Sequence, residues 1–309
     1  GFCILNALIP ICSSYLRAFG FSKEPLYASI IGNVINFCLN AFFLFVLHKG
    51  VAGVATATVI SRIINLVIVV LLGAVLVKAK QHPERESNRA VMGQIIRIGL
   101  PSACETAIYN VSMTLVIRFL NQMDAQGLNV TARSYTMQIT NFSYCVGAAL
   151  AQANAIMTGW HIGAKEYDAC DRGTKKAAVI GVIVAVILET VFTLCSGWIM
   201  QLFSKDPQMV SLVGKLLAID IVLEIGRVTN LVYGQALKTS GDAVFPVVMG
   251  ACFMILCSVG GTYLFGIRLG LLAVGAYIGM TGDECVRAVG MYLRWKSGKW
   301  KEKGLVKSR

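Results

Sequence analysis

Nine long apolar stretches, separated by short connections rich in charge, glycine or proline, constrain this chain more than any other feature. A helix needs about 20 apolar residues to cross the hydrocarbon core of a bilayer, and lipid offers no hydrogen bonds to an open backbone. We therefore predict an all-α integral membrane protein, a polytopic helix bundle. Its helices are placed at about 2–19, 26–47, 53–77, 93–118, 129–157, 176–203, 209–237, 243–267 and 270–294.

The composition agrees with this prediction and excludes several classes of protein. Of the 309 residues, 56% are hydrophobic and 14% are charged, whereas a soluble domain has about 25% charged residues. Little chain remains for a globular domain, so a soluble enzyme is excluded. The formal net charge of +12 reflects the excess of basic residues in cytoplasmic loops of membrane proteins, and we expect no nucleic-acid partner.

Basic residues are distributed unevenly over alternate connections, which tests the number of helices. Nineteen fall on one side, and five fall on the other, namely Lys49, Arg118, Lys205, Lys215 and Arg268. Because the basic side is cytoplasmic, we expect a multi-pass protein of the cell membrane with a cytoplasmic C-terminus. The basic tail, residues 295–309, is expected to be solvated or to face lipid headgroups.

The residue types that support enzymatic or metal chemistry are not arranged for it. The ten cysteines form no CxxC pair, and the three histidines, His48, His82 and His161, lie in connections without metal-ligand spacing. The chain has no phosphate-binding Gly-x-x-x-x-Gly-Lys-Ser/Thr loop. We expect neither an enzyme nor a metal site nor a cofactor.

An internal repeat relates the first three helices to the last three. Residues 16–20 with Pro25 align without gaps on residues 237–241 with Pro246, at an offset of 221, and residues 49–53 resemble residues 269–273. Loop charge gives both copies the same orientation, so this is a parallel repeat, which is common in secondary transporters.

The repeat predicts the domain organisation. Residues 1–77 would be the last three helices of an N-terminal lobe, 78–92 a cytoplasmic interlobe loop, and 93–294 a six-helix C-terminal lobe. A complete first lobe would place about 130 further residues and three helices before residue 1. The full-length protein is then expected to have two six-helix lobes.

Several motifs resemble those of the MATE (multidrug and toxic compound extrusion) transporters. Residues 97–102, Arg-Ile-Gly-Leu-Pro-Ser, resemble the family's Gly-Leu-Pro-Ser segment, and residues 16–25 and 237–246 resemble its Leu-Arg-x-x-Gly-Asp-x-x-x-Pro turns, with Phe21 replacing the Asp in the first copy. Residues 53–62 and 159–167 are similar to two further family motifs. The resemblance extends over essentially the whole chain.

This resemblance implies secondary active efflux of organic, often cationic, drugs or metabolites in antiport with H⁺ or Na⁺. We expect small-molecule substrates, contact with the lipid bilayer, a monomer, and the coupling ion in place of a cofactor. The alternative is a flippase for lipid-linked saccharides or other amphipathic lipids, which would need a strongly basic cavity. The spans contain six acidic residues against four bases, Arg62, Arg133, Arg227 and Arg287, which favours cations.

Ionisable groups inside spans are the best indication of function, because each costs about 2.5–3.5 kcal/mol at the middle of a bilayer. Glu105 follows the helix-breaking Pro101 and lies one turn from Tyr109 and Asn110, so it is a candidate to bind H⁺ or Na⁺ beside a cavity. The alternative is a glutamate that steadies the kink.

Asp220, Glu224 and Arg227 share one helix face. Two ionised carboxylates one turn apart repel, so one of them should hold a proton or a cation. The tenth helix of the MATE family, which this helix resembles, carries acidic coupling residues in several members, and we therefore favour Asp220 and Glu224 as coupling residues. The alternative is that Arg227 simply neutralises Glu224.

Two further observations concern the remaining polar groups in the spans. Asp283 and Glu284 precede Arg287 by four and three residues, which predicts structural charge pairs; Glu189 has no predicted role. A polar stripe with a spacing of three predicts a cavity-lining face or, equally, interhelical hydrogen bonds. Its members are Tyr135, Gln138, Asn141 and Tyr144, and Asn230 and Tyr233 are weaker candidates for the cavity.

Overall fold

A computed structural model describes residues 3–78, 88–123 and 127–302. The chain separates into two compact units, Gly1–Glu86 and Ser87–Arg309. In the first unit, α1 (Cys3–Ala18) and α2 (Lys23–Ala41) both pack on α3 (Gly50–Lys78), and α2 continues as a π-helix over Phe42–Val46. Buried Leu16, Ala28, Val69 and Val77 form the core of this unit.

The second unit contains the remaining helices. They are α4 (Asn88–Met123), α5 (Leu128–Gly163), α6 (Tyr167–Leu194), the short α7 (Ser196–Met200), α8 (Pro207–Thr239), α9 (Val244–Phe253) and α10 (Leu272–Lys296). The α9 helix continues through π-helical turns over Met254–Val259 and Thr262–Arg268, and a 3₁₀ turn covers Lys299–Glu302.

Among the residues that the structure describes, four helical segments are long and apolar enough to cross a membrane: Lys23–Val46, Gly50–Val77, Tyr167–Leu194 and Val244–Arg268. The other long helices carry more polar residues, several of which face the interior described below. A helical membrane bundle is therefore confirmed.

The helix predicted over 176–203 is misplaced, because α6 already begins at Tyr167 and ends at Leu194. Its first turns are charged rather than apolar, and they are helical because of local and tertiary contacts. Lys175 Nζ lies 2.6 Å from Asp171 Oδ2, and Trp295 donates a hydrogen bond to Asp171 Oδ1 at 2.9 Å. A pattern of apolar runs does not reveal this segment, because the segment is charged.

The two predicted polar segments are only partly described. Residues 79–87 of the predicted interlobe loop and residues 303–309 of the predicted tail lie outside the described residues. The described start of the tail is not simply a solvated segment, because α10 continues to Lys296 and the indole of Trp300 stacks on Trp295 with the ring centroids 4.2 Å apart. Both indoles are buried.

Helix α8 is the centre of the second unit, where it packs against α5, α6 and α10. The contact with α10 is close: a Cβ atom added at Gly226 would lie only 2.9 Å from the backbone nitrogen of Cys285. Glycine therefore allows the two backbones to approach. This approach brings the charged residues of α8 and α10 next to one another.

The repeat is visible in the backbone, with one change of register. In each copy the first of the three helices, α1 or α8, ends in the same glycine turn. Gly20 and Gly241, which are 221 positions apart as expected, have φ angles of +89° and +91°. Further on, the amide of Leu47 bonds to the carbonyl of Phe42, as that of Leu269 bonds to Leu264. The offset there is 222, so the alignment of 49–53 with 269–273 is wrong by two residues.

Candidate functional site

A cavity of about 420 Å³ lies inside the second unit, between α4, α5, α8, α10 and the α9 segment. Its lining is rich in charge. Three carboxylates and four basic groups line it: Glu105, Asp220, Glu284, Arg133, Arg227, Lys238 and Arg287. Polar Tyr109, Asn141, Tyr144 and Asn230 line it as well.

Glu105 of α4 is bonded across the cavity to Lys238 of α8. The distance between Glu105 Oε2 and Lys238 Nζ is 2.6 Å, and the two side chains are 17% and 20% exposed. The sequence predicts the end of this helix at about residue 237, whereas α8 extends to Thr239 and includes Lys238. The α4 helix also continues through Pro101 rather than breaking there.

Arg227 pairs with carboxylates on both sides. Its Nη1 lies 2.6 Å from Glu224 Oε2 on the same helix, and its Nε lies 3.9 Å from Glu284 Oε1 on α10. Asn230 donates a hydrogen bond of 3.0 Å to the other oxygen of Glu284. Glu224, a predicted coupling residue, thus has a cationic partner, and it does not line the cavity.

Arg287 completes this network on α10. Its Nε lies 2.9 Å from Asp283 Oδ1, and its Nη2 lies 2.9 Å from Glu284 Oε1. Ser258, in the π-helical part of the α9 segment, donates a hydrogen bond of 3.0 Å to Asp283. Glu284 therefore connects the two arginines, and three helical segments meet at one charged cluster.

Asp220 differs from these carboxylates, because no ion pair or hydrogen bond to its side chain occurs among the described residues. The residue is 2% exposed, it lines the cavity, and its Oδ2 atom is buried without a partner. A buried polar atom without a hydrogen bond is costly. Asp220 is thus a carboxylate that faces the cavity with free capacity for an ion.

Glu189 of α6 is the residue for which the sequence suggested no role. It is completely buried, and the hydroxyl of Ser143 on α5 lies close to its carboxylate. Its electrostatic neighbours are Asp220, Glu224 and Arg227. These three residues all lie on α8, so the sequence of α6 alone gives no indication of them.

The structure places two of the four members of the polar stripe on α5 at the cavity. Asn141 and Tyr144 line the cavity, whereas Tyr135 packs against Phe203 and Gln138 is exposed. The reason is geometric: a spacing of three turns the helix by about 300° per step, so the first and last members of the stripe point in opposite directions. The residues of α5 that do line the cavity are Arg133, Met137, Thr140, Asn141 and Tyr144.

Two other predicted cavity residues lie elsewhere. Asn110 is exposed and donates its side-chain hydrogen bond to the carbonyl of Thr106 on its own helix. Tyr233 is buried in an aromatic cluster, with its ring centroid 5.6 Å from that of Tyr292. Tyr109, the neighbour of Asn110, and Asn230, about one turn before Tyr233, do line the cavity.

No group of three or more histidine, cysteine or acidic side chains is placed to hold a metal ion within residues 3–78, 88–123 and 127–302. The charged and polar side chains that line the cavity therefore define the chemistry of this site. Arg133, for which the sequence predicts no role beyond that of a base within a span, lines the cavity near the beginning of α5.

A helical membrane bundle around a charged cavity is the architecture of a transporter. The family model MatE matches residues 101–264. The "Uncharacterized transporter YisQ" of Bacillus subtilis (strain 168) is 33% identical over 312 residues, which cover 99% of this chain and 68% of that protein. The chain therefore belongs to the MATE family, whose members are transporters.

More distant relatives agree. The "Probable multidrug resistance protein NorM" of Thermotoga maritima is 21% identical, over 97% of this chain and 65% of that protein. The chain thus spans about two thirds of the length of these curated relatives.

Solved structures show the same fold. The outward-facing conformation of a multidrug resistance MATE family transporter matches with a TM-score of 0.81 at 19% identity, over 94% of this chain and 66% of that one. The MATE transporter ClbM in complex with Rb⁺ matches with a TM-score of 0.78 at 17% identity, over 93% and 64%.

Proposed function

We propose that this protein exports organic, often cationic, molecules across the cell membrane in exchange for H⁺ or Na⁺. The observation that carries the proposal is Asp220, an almost completely buried carboxylate that faces the cavity without an ionic partner in the described chain. Such a group accepts a proton or a small cation more readily than a carboxylate that is already paired.

In this proposal Asp220 is the first site of the coupling ion. Glu105 and Glu224 follow, because an ion must displace Lys238 or Arg227 before it can bind them. Occupation of Asp220 favours one arrangement of the helices, and the substrate is released when that arrangement forms.

Related proteins support both parts of the proposal, the export of drugs and the use of a monovalent cation. NorM of Thermotoga maritima is named as a probable multidrug resistance protein, and the complex of ClbM with Rb⁺ places a monovalent cation on a transporter of this fold. We further propose a monomer with a cytoplasmic C-terminus and without a nucleic-acid partner. Nothing in the comparisons favours the alternative of a lipid flippase.

The test is ethidium efflux from proteoliposomes that contain the full-length protein, under an imposed pH gradient or an imposed Na⁺ gradient. We expect one gradient to drive efflux, and we expect Asp220→Asn to abolish the gradient-driven part. The matched control is Asp168→Asn, an exposed aspartate at the start of α6, which should transport as the wild type does.

The outcomes separate the parts of the proposal. Gradient-driven efflux at wild-type rates in Asp220→Asn would remove Asp220 from coupling. Efflux that ignores both gradients would contradict antiport itself. The gradient that drives efflux in the wild type identifies the coupling ion.

A further inference from the structure

Arg133 is the basic residue of the cavity that has no carboxylate partner among the described residues. It lies in the second turn of α5, lines the cavity and is 6% exposed. Its Nη2 atom contacts the thioether sulfur of Met113 at 3.6 Å, and its buried Nε atom has no hydrogen-bond partner. Since sulfur is a weak acceptor, most of the hydrogen-bonding capacity of this guanidinium is unused.

The other three basic groups of the cavity make the contrast clear. Lys238 has Glu105 at 2.6 Å, Arg227 has Glu224 at 2.6 Å, and Arg287 has carboxylate oxygens of two residues at 2.9 Å. These three cations are neutralised within the protein. Arg133 brings a charge into the same cavity with nothing to neutralise it in the described chain.

A guanidinium of this kind is costly unless something binds to it. Buried charges in proteins are normally paired and hydrogen-bonded, and an arginine side chain cannot lose its proton. The planar fork of its donors matches the two oxygens of a carboxylate. The unused donors therefore point to an anionic group that enters the cavity from outside the protein.

We propose that Arg133 is the subsite for a carboxylate group of the transported molecule, so that the preferred substrates are zwitterionic rather than purely cationic. This inference rests on the proposed export function, because it assigns the substrate class of the same cavity. The cationic part of such a substrate has Asp220 available whenever the coupling ion has left it, since Asp220 also lacks an ion pair among the described residues.

Buried Tyr277 of α10 supports this arrangement of two subsites. It lines the cavity, and its electrostatic neighbours include both Asp220 and Arg133. The two unpaired charges therefore both lie near one aromatic residue, and no ion pair joins Asp220 and Arg133 among the described residues. A molecule with a positive and a negative group is complementary to this pattern.

The test measures binding without any gradient, so that it is independent of coupled transport. Rhodamine 110, a dye with a free carboxylate, and its methyl ester, in which that carboxylate is blocked, are titrated into the detergent-solubilised full-length protein, and fluorescence anisotropy reports binding. In Arg133→Gln we expect the acid to bind about tenfold more weakly or worse, with binding of the ester changed by less than about twofold. Arg133→Lys should restore part of the binding of the acid.

Gln138→Ala is the matched control, because Gln138 is exposed on the same helix and does not line the cavity; it should bind both dyes as the wild type does. Equal weakening of both dyes in Arg133→Gln, or no change in either, would overturn the proposal. If phosphatidylglycerol displaces the acid from the wild type, the subsite belongs to a lipid headgroup, and the proposal is also overturned.

In a second measurement, a difference in size between the two ligands cannot account for a difference in binding. Benzoate and benzamide have similar shapes, but only benzoate carries a charge. We expect benzoate to raise the midpoint of thermal unfolding of the wild type and to have no such effect on Arg133→Gln. Stabilisation by benzamide to the same extent, or no stabilisation of the wild type by benzoate, would contradict a carboxylate subsite.

Discussion

The same turn occurs in both units of the chain, but it is stabilised differently in each. At residues 16–21 the amide of Phe21 bonds to the carbonyl of Leu16 at 3.0 Å, and at residues 237–242 the amide of Asp242 bonds to the carbonyl of Leu237 at 2.9 Å. Both are Schellman turns with a glycine of positive φ, and both leucines are completely buried.

The residue after the glycine marks the difference. In the first unit Phe21 packs against the core cluster that contains Leu16, which is the apolar contact that usually accompanies this turn. In the second unit the completely buried side chain of Asp242 lies 2.7 Å from Arg294 Nε. The turn of the second unit is thus tied to α10 by an ion pair.

The residue after the leucine differs in a similar way. Lys238 lines the cavity and pairs with Glu105 on α4, whereas Arg17 has no ion pair among the residues that the structure describes. Leucine and glycine, which both copies share, therefore determine the geometry of the turn. The charges add connections between helices, and they do so in the unit that contains the cavity.

Substitution of Asp242 should have the largest effect. Asp242→Ala leaves Arg294 without its partner, and breaking a buried ion pair costs about 3–5 kcal/mol. We expect a loss of about 3 kcal/mol in the free energy of unfolding, measured by denaturant titration in detergent. Phe21→Ala is the matched control in the first copy, with an expected loss of about 1 kcal/mol because Phe21 is only partly buried. A larger loss in Phe21→Ala would reverse the comparison.

The next effect concerns the pair that crosses the cavity. Lys238→Met leaves the carboxylate of Glu105 without its cation, and we expect a loss of about 2 kcal/mol, less than for a fully buried pair because both groups are partly exposed. The double variant with Glu105→Gln should recover about half of this loss, as measured by the same titration. Arg17→Met in the first copy should change stability by less than about 0.5 kcal/mol. Additive effects of the two substitutions in the second unit would show that the pair contributes nothing.

Much of the fold could be predicted from the sequence, because helix length and apolar periodicity are local properties. The charge pairs within α10 could also be predicted, since Arg287 is within one turn of both Asp283 and Glu284. The parallel repeat was found from short matching blocks around Gly20 and Gly241. The boundaries failed where charged turns continue a helix, as at the start of α6.

The cavity could be predicted only in part, because its lining depends on how each helix is rotated against its neighbours. Glu105 and Lys238 are separated by 133 positions, and no local pattern connects them. A better pattern did exist on α5: Arg133, Met137, Thr140 and Tyr144 follow the spacing of a true helix face, which the spacing of three does not.

Replacement of the turn glycine should have the smallest effect, and the effect should be the same in both copies. It tests whether the two turns have the same backbone geometry. A Cβ atom at Gly20 would meet no atom within 4 Å, so Gly20→Ala is disfavoured only by its φ angle of +89°, at a cost of about 1 kcal/mol. Gly241→Ala, at +91°, should lose the same amount in the same denaturant titration. Equal losses would mean that the two backbones are equivalent and that the charges alone account for the larger differences at Asp242 and Lys238. A loss larger by more than about 1 kcal/mol at Gly241 would mean instead that the added methyl group meets neighbouring atoms there, where the glycine is less exposed than Gly20.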